Sequence, residues 1–444
     1  MRTSLSVLCA AFLASMYFRS YFGVVGPLVS DDLALSPVEF GWLASAFFGS
    51  FALLQIPVGI AFDRWGVRWP MASMMVMGAA GSALIASSSG FWSAFAGQVA
   101  IGIGCARIFM GILYYLGRHH SPDTAARLAA TVSSVGSVGA LISASPLSFF
   151  TAEWGWRAAC WTASATMLAC ALSIAASLRR APSARSALRT TERGTWRLPK
   201  LLYLVPICFT LSLGGTFRNA WAGPYLTSVF GHGTNVGTVL TAVSVFGIAT
   251  SFALPFALLR WRGRTIVTAT YIVGLLSALL LAFMPGFSIL FASAGLALLY
   301  AMGNVHPVAM TEAQALLPYR MRGIGLGALN TLVFLGVSAS SSVFGVLAYL
   351  PLSADVTCGL VFGATAMALT IALAVYVACR PKAIEAQGGR DRVGLKATLS
   401  RRRKMKAPAP SRNTSGEGEP IFNSMQRMAC RKAVRAAQSS ELRF

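Results

Sequence analysis

Gly59-Ile-Ala-Phe-Asp63-Arg64-Trp-Gly66-Val-Arg68 is a charged stretch inside a long apolar region. It follows an apolar segment at about 38–61 and precedes another at about 69–87. Each segment is near the ~20 residues that a helix needs to cross a bilayer. A charged turn squeezed between two such segments has to sit at a membrane face. Its glycines let two helices approach closely and turn tightly. Asp63 is placed to face the first turn of the next helix, where the dipole favours a negative charge. Arg64 and Arg68 mark the cytoplasmic side.

Composition points to the same environment. The 444 residues are 55% hydrophobic and 11% charged, with mean hydropathy +0.64. Soluble chains carry about 25% charged residues. Twelve membrane-length segments are read at 5–29, 38–61, 69–87, 92–116, 126–150, 156–178, 201–226, 235–259, 265–284, 288–317, 323–349 and 356–379. The first follows Arg2 but runs through Pro27 without a convincing cleavage site, so it reads as a helix and not a leader.

The net charge of +23 is unevenly placed. Sixteen of the 37 Lys and Arg lie from Arg380 onward and seven more between Arg179 and Lys200. One set of connections carries Arg64, Arg68, Arg118, Arg127, Arg260, Arg262, Arg264, Arg320 and Arg322 as well. The connections on the other side carry only Arg157, with Asp31, Asp32, Glu153 and Asp355. This bias predicts that both termini are cytoplasmic. The basic residues flank apolar spans, so no nucleic-acid partner is expected. Seven of the eight cysteines lie in apolar segments without metal-ligand spacing, and no disulfide framework is read.

The chain divides into residues 1–178, a basic central loop at 179–200, residues 201–380, and a basic tail at 381–444 that is expected to be disordered. The six-span halves resemble each other. Phe18-Arg19 with Gly26-Pro27 recurs as Phe217-Arg218 with Gly223-Pro224, and the charged turn has an echo in Arg260-Trp-Arg262-Gly263-Arg264. A repeat of six spans suits a two-bundle carrier with a midplane site.

The stretch Gly59 to Arg68 resembles the motif between the second and third helices of the major facilitator superfamily of secondary transporters. That resemblance implies an all-α membrane protein of twelve helices in two pseudo-symmetric bundles. It implies alternating access and a conformational latch at Gly59, Asp63, Arg64, Gly66 and Arg68. It also places the first, fourth, seventh and tenth helices on a central cavity. Trp69-Pro70 replaces a further basic residue often found in the motif.

Ionisable residues inside spans are costly and usually functional. Arg19, Arg107 and Arg218 lie in the first, fourth and seventh spans. Arg stays charged, and its fork matches carboxylate or phosphate. The residues around Arg19, Tyr17-Phe-Arg19-Ser-Tyr-Phe-Gly, resemble the first helix of the organophosphate:phosphate antiporters. Those transporters pair this arginine with one in the seventh helix. Arg218 lies about one turn from the matching place, so the resemblance extends to an organic anion and not to a named substrate. Each arginine also has a structural reading, in which it bonds backbone carbonyls or a neighbouring acid.

Tyr21, Trp221 and His306 are further substrate candidates, and Tyr17, Tyr225 and Tyr300 share the same spans. Gln98 stands where many members of the superfamily carry a fourth-helix arginine. Glu312 is read as a gating or structural carboxylate, paired with Arg260, Arg264 or Arg322. Asp31, Asp32 and Glu39 are read as solvated groups at the outer mouth.

The expected function is secondary transport of a small solute, a small organic anion first, across a bacterial inner membrane. The alternatives are a drug or metabolite exporter of the same fold and a transporter-like sensor. An exporter predicts a titratable acid deep in the first or fourth span, and the sequence has none there. No phosphate-binding loop, nucleophile constellation or metal set is present in the sequence, so no enzyme and no cofactor are expected. A proton or counter-substrate gradient is compatible as the driving force. The partners are the substrate and the bilayer, and a monomer is compatible with this plan.

Overall fold

A computed structural model of the chain describes residues 2–106, 108–120, 122–178, 202–231, 235–317 and 322–379. The basic segments at 179–200 and 381–444 lie outside them. Residues Met1–Pro381 form one compact unit. Its spans are labelled here in chain order. α1 runs Arg2–Ser20 and Phe22–Asp32, and α2 runs Pro37–Leu53 and Gln55–Trp65. α3 is Arg68–Ala86, and α4 is Phe91–Cys105 and Ile108–His119. α5 begins as Pro122–Ile142 and continues over 145–154, and α6 covers 156–177 after a break at Gly155. α7 runs Leu204–Thr210, Leu213–Thr216, a π-helical turn Phe217–Trp221, and Ala222–Phe230. α8 is Val236–Arg260, and α9 is Gly263–Phe283. α10 is Ile289–Ala301, a 3-10 turn Met302–Val305, and His306–Leu316. α11 is Arg322–Ala348, and α12 is Ala354–Ala378.

Eight described helices are long and apolar enough to cross a membrane, and a ninth span is the pair of α1, bent by 49°. The other three passes, α2, α5 and α7, are interrupted helices. Twelve spans are thus present, but several are broken where the sequence suggested unbroken runs.

Proline accounts for most of the breaks. It offers no N–H to the carbonyl four residues back, and its ring crowds that turn. Pro57 withholds a bond from Leu53, and α2 breaks at Leu54. Pro146 withholds one from Ile142, and α5 breaks at 143–144. Pro224 follows the π turn of α7, and Pro307 follows the 3-10 turn of α10. Pro27 lies nearly two turns beyond the bend of α1. Pro255 is the exception, since α8 continues through it.

One face of the bundle carries the connections at 33–36, 87–90, 284–288 and 349–353, and is called the loop face. The opposite, terminal face holds the start of α1 beside the end of α6, where the Ser4 hydroxyl donates to the Ser177 carbonyl at 3.5 Å. Across the halves, α2 packs along α11, the second part of α1 meets the π turn of α7, and α5 meets α8. Large apolar side chains on the outside remain exposed, among them Phe252, Phe256, Leu259 and Phe283. Such a surface suits hydrocarbon and not water.

The charged turn is built as a corner. Gly66 ends α2 with φ 72 and ψ −177, a conformation available essentially to glycine alone. Its N–H bonds the Phe62 carbonyl at 3.0 Å. Arg68 starts α3 and donates to the Ala175 carbonyl in the last turn of α6. A cation suits the negative end of a helix dipole. Arg64 is exposed, Gly59 lies within α2, and the Asp63 side chain lies outside the described residues. Gly66→Val should cost about 1–3 kcal/mol. No atom would clash with the new Cβ, so the loss is backbone strain alone. Thermal unfolding in detergent checks it.

On the loop face, two of the acids read as solvated also have protein partners, and Asp32 keeps 43% of its side chain exposed. Arg157 at the start of α6 pairs with Asp32 at 2.5 Å and donates to the Ser88 carbonyl at 3.3 Å. It ties the ends of α1 and α3 to α6. Glu39 closes a capping box with Ser36 at the start of α2. Both acids sit at helix ends, where unpaired backbone groups and an arginine compete with water.

Candidate substrate site

Arg19 is the penultimate residue of the first part of α1, two residues before the bend at Tyr21. It is half-buried, and its guanidinium carbon lies 4.7 Å from the centroid of the Phe334 ring in α11. No hydrogen bond or ion pair satisfies this guanidinium among the described residues. The aromatic face supplies a cation–π contact but no acceptor for its N–H donors. Phe334 is held in turn by Phe51 of α2, with ring centroids 4.5 Å apart.

His306 comes from the other half, just past the 3-10 turn of α10. It stands within electrostatic reach of Arg19 and beside Asn330 of α11. Its Nε2 is buried and has no hydrogen-bond partner among the described residues. The Asn330 carboxamide donates to the Gln55 side chain of α2 at 3.4 Å. A permanent cation, an imidazole and two carboxamides thus meet between the halves. A fork of unused N–H donors beside an imidazole and two amides can hold a carboxylate, and the amides can bond hydroxyls.

Tyr21 and Gln98 form a second polar pair inside the N-terminal half. Each is 1% exposed. The Tyr21 hydroxyl and the Gln98 carboxamide face each other and have no other hydrogen-bond partner among the described residues. The pair shares the interior of the half with Tyr17, Cys105 and Cys160.

Arg218 is placed differently from Arg19. It is 1% exposed and donates four hydrogen bonds to protein atoms. In this conformation it makes the contacts of the structural reading. Trp221 is 6% exposed, and its ring nitrogen donates to the Ser341 hydroxyl at 3.3 Å. It also meets Phe40 edge-on at 5.1 Å and lines a cavity of about 1090 Å³ that opens on the loop face. Arg107 lies outside the described residues.

Glu312 stands apart, toward the terminal face. Its carboxylate accepts from the Tyr203 hydroxyl at 2.8 Å and the Tyr376 hydroxyl at 2.7 Å. It therefore ties α10 to the start of α7 and the end of α12. A hydrogen bond to a charged group contributes about 1.5–3 kcal/mol. Glu312→Leu should lower the thermal midpoint by several degrees, while Glu312→Gln, which can still accept, should lower it less.

Gln55, Asn330 and Phe334 were not singled out in the sequence. The signal available was modest: Gln55 and Asn330 are carboxamides inside otherwise apolar runs.

Two six-helix halves facing each other across a polar midplane cluster define a secondary transporter of the membrane. The model of the Major Facilitator Superfamily matches residues 7–341, and the chain belongs to that superfamily. It is a multi-pass membrane transporter and not an enzyme. The hexuronate transporter of Bacillus subtilis (strain 168) is 25% identical over 159 residues, 35% of this chain and 38% of that protein. A putative tartrate transporter of Agrobacterium vitis is 28% identical over 110 residues, 24% of this chain and 25% of that protein. The matched region thus spans well under half the length of these curated relatives. Among solved structures, the nucleoside transporter NupG superposes with TM-score 0.68 at 14% identity, over 85% of this chain and 99% of that one. A D-xylose-proton symporter also superposes with TM-score 0.68 at 14% identity, over 86% of this chain and 98% of that one. At such identities the likeness shows the fold alone.

Proposed function

We propose that the chain carries a small organic anion across a bacterial inner membrane by alternating access, with Arg19 as the anchor of the anionic group. The observation that carries this reading is the guanidinium of Arg19 near the middle of α1, which has no hydrogen-bond or ion-pair partner among the described residues. A charge held inside a membrane protein needs compensation, and none comes from a described acid. A carboxylate bound to the fork supplies it. His306, Asn330 and Gln55 are placed to read the rest of the ligand. The names of the hexuronate and tartrate relatives are those of hydroxylated carboxylates, which suit a cation flanked by amides.

The halves rock about this cluster, and the corner from Gly59 to Arg68 holds the terminal face in one of the two states. Both termini are cytoplasmic in this reading, which rests on the Lys and Arg bias of the connections. A proton or counter-substrate gradient drives net movement.

The test is a ligand panel on purified protein, read by thermal shift and then by flux in liposomes. Uronates, tartrate and simple dicarboxylates should stabilise the protein, and pentoses and nucleosides should not. Stabilisation by neutral sugars alone would overturn the anion reading. Lipophilic cations alone would favour an exporter, and binding without flux a sensor. Asn330→Leu should weaken the apparent affinity for a hydroxylated carboxylate about tenfold, the value of one or two lost hydrogen bonds. The concentration dependence of uptake checks this, with little change for an unsubstituted carboxylate.

A further inference from the structure

We infer that Arg218 is the lock that holds the loop-side seam between the halves shut, and that the charge of an arriving anion releases it. The release step rests on the anion reading above. The lock itself rests on geometry alone.

Arg218 belongs to the C-terminal half, but three of its four hydrogen bonds cross to the other half. It donates to the Ser20 carbonyl of α1 at 3.0 Å. It also donates to the Ala140 carbonyl of α5 at 2.6 Å and to the Ser143 hydroxyl at 3.3 Å. The fourth bond goes to Ser244 of α8, within its own half, at 2.9 Å. One planar side chain therefore fastens α1 and α5 to α7 and α8. The same layer is pinned beside it. The Ser20 hydroxyl donates to the Asn219 carboxamide oxygen at 3.0 Å, and Ser145 meets Thr241 at 2.7 Å.

The layer is the floor of the loop-face cavity. Gly23, Phe217 and Trp221 line that cavity, and the buried Arg218 lies between Phe217 and Trp221 in the π turn of α7. A solute entering from the loop face reaches Arg19 only if the halves part there. Parting breaks all three crossing bonds.

Every acceptor of Arg218 is neutral, and no described carboxylate pairs with it. A buried cation held only by dipoles is a poor resting arrangement compared with a charge pair. An anion at the seam offers the guanidinium a better partner than the carbonyls that it leaves. Arg218 then alternates between N-terminal-half carbonyls in the shut state and the ligand in the open state. The π turn Phe217–Trp221 carries this residue. π turns are strained insertions that recur at functional sites. Returning it to α-helix would rotate one flank by roughly one residue, ~100°, which moves Arg218 relative to the seam.

Hydrogen exchange of the full-length protein in nanodiscs tests both parts. Arg218→Lys puts one ammonium where four acceptors need a fork. The double variant Ser143→Ala with Ser244→Ala removes two acceptors and keeps the charge. Without ligand, both variants should exchange about tenfold faster than wild type at 22–32, 145–154 and 236–245, with no change at the ends of α6 and α12. Tartrate or galacturonate, whichever gives a thermal shift, should speed exchange at the same segments in wild type. Wild-type exchange rates in both folded variants would overturn the lock. A ligand that shifts the wild-type midpoint but leaves the seam's exchange unchanged would overturn the release. If no anion shifts wild type, the anion reading and the release both fail, and the variants alone decide the lock.

Discussion

Arg19→Gln is expected to abolish stabilisation by organic anions and to lower uptake by ~100-fold or more. The glutamine keeps the length of the side chain but neither the charge nor the fork. Truncating one partner of a buried, hydrogen-bonded charge pair typically costs about 2–5 kcal/mol. The effect should exceed that of substitutions at Asn330 or Gln55, because Arg19 supplies the permanent charge of the cluster and has no described hydrogen-bond or ion-pair partner. Arg19→Lys should fall between, since an ammonium is a point charge and cannot hold a carboxylate with two parallel bonds. Folding should survive both changes, because Arg19 contributes no hydrogen bond to the described framework and only a ring contact with Phe334. Equal thermal midpoints without ligand would show that the loss belongs to the site.

Gly41→Leu should abolish cycling by a different route. A Cβ at position 41 would come within 2.6 Å of the Ser341 carbonyl oxygen and 3.0 Å of the Gly345 Cα. Both are backbone atoms of α11, so no side-chain rotation relieves the contact. The seam between α2 and α11 then closes only at a strain of about 3 kcal/mol, the upper end for overpacking. Since that seam joins the halves, the shut state of the loop face becomes rare and uptake should drop ~100-fold. Anion binding at Arg19 should persist, which separates this variant from Arg19→Gln. Gly49, further along the same seam, faces the Ser338 hydroxyl at 3.1 Å, a side-chain atom that can move. Gly49→Ala should therefore be far milder. Unchanged uptake in Gly41→Leu would contradict the packing of α2 on α11 as a moving contact.

Much of the fold is legible in the sequence because lipid imposes a simple rule. A span must be long and apolar, and its connections must be polar. The charged corner at 63–68 stands out for that reason, and so does Arg19, a full charge in an apolar run. The breaks within spans are half legible. Pro57, Pro146, Pro224 and Pro307 each mark an interruption, but Pro255 does not. Whether proline breaks a helix depends on how neighbours support the freed carbonyl, which is a tertiary matter. The form of the break is also not written locally: α7 makes a π turn and α10 a 3-10 turn.

The site is less legible than the fold. Arg19 and Arg218 occupy repeated positions in sequence, yet they differ in every contact. The difference lies in which backbone carbonyls approach, Ser20 and Ala140 for one and none for the other. No local pattern encodes an approach made from 78 and 198 residues away. Gln55 and Asn330 escape notice because a carboxamide carries no charge. Their meeting across 275 residues exists only in the fold.

The most direct test is uptake of labelled uronate or tartrate into proteoliposomes, wild type against Arg19→Gln, with the thermal shift of each protein measured alongside. The account predicts saturable uptake of at least one such anion by wild type, and neither uptake nor anion-dependent stabilisation in the folded variant. Undiminished uptake by Arg19→Gln, or wild type that takes up only neutral or cationic solutes, would contradict it.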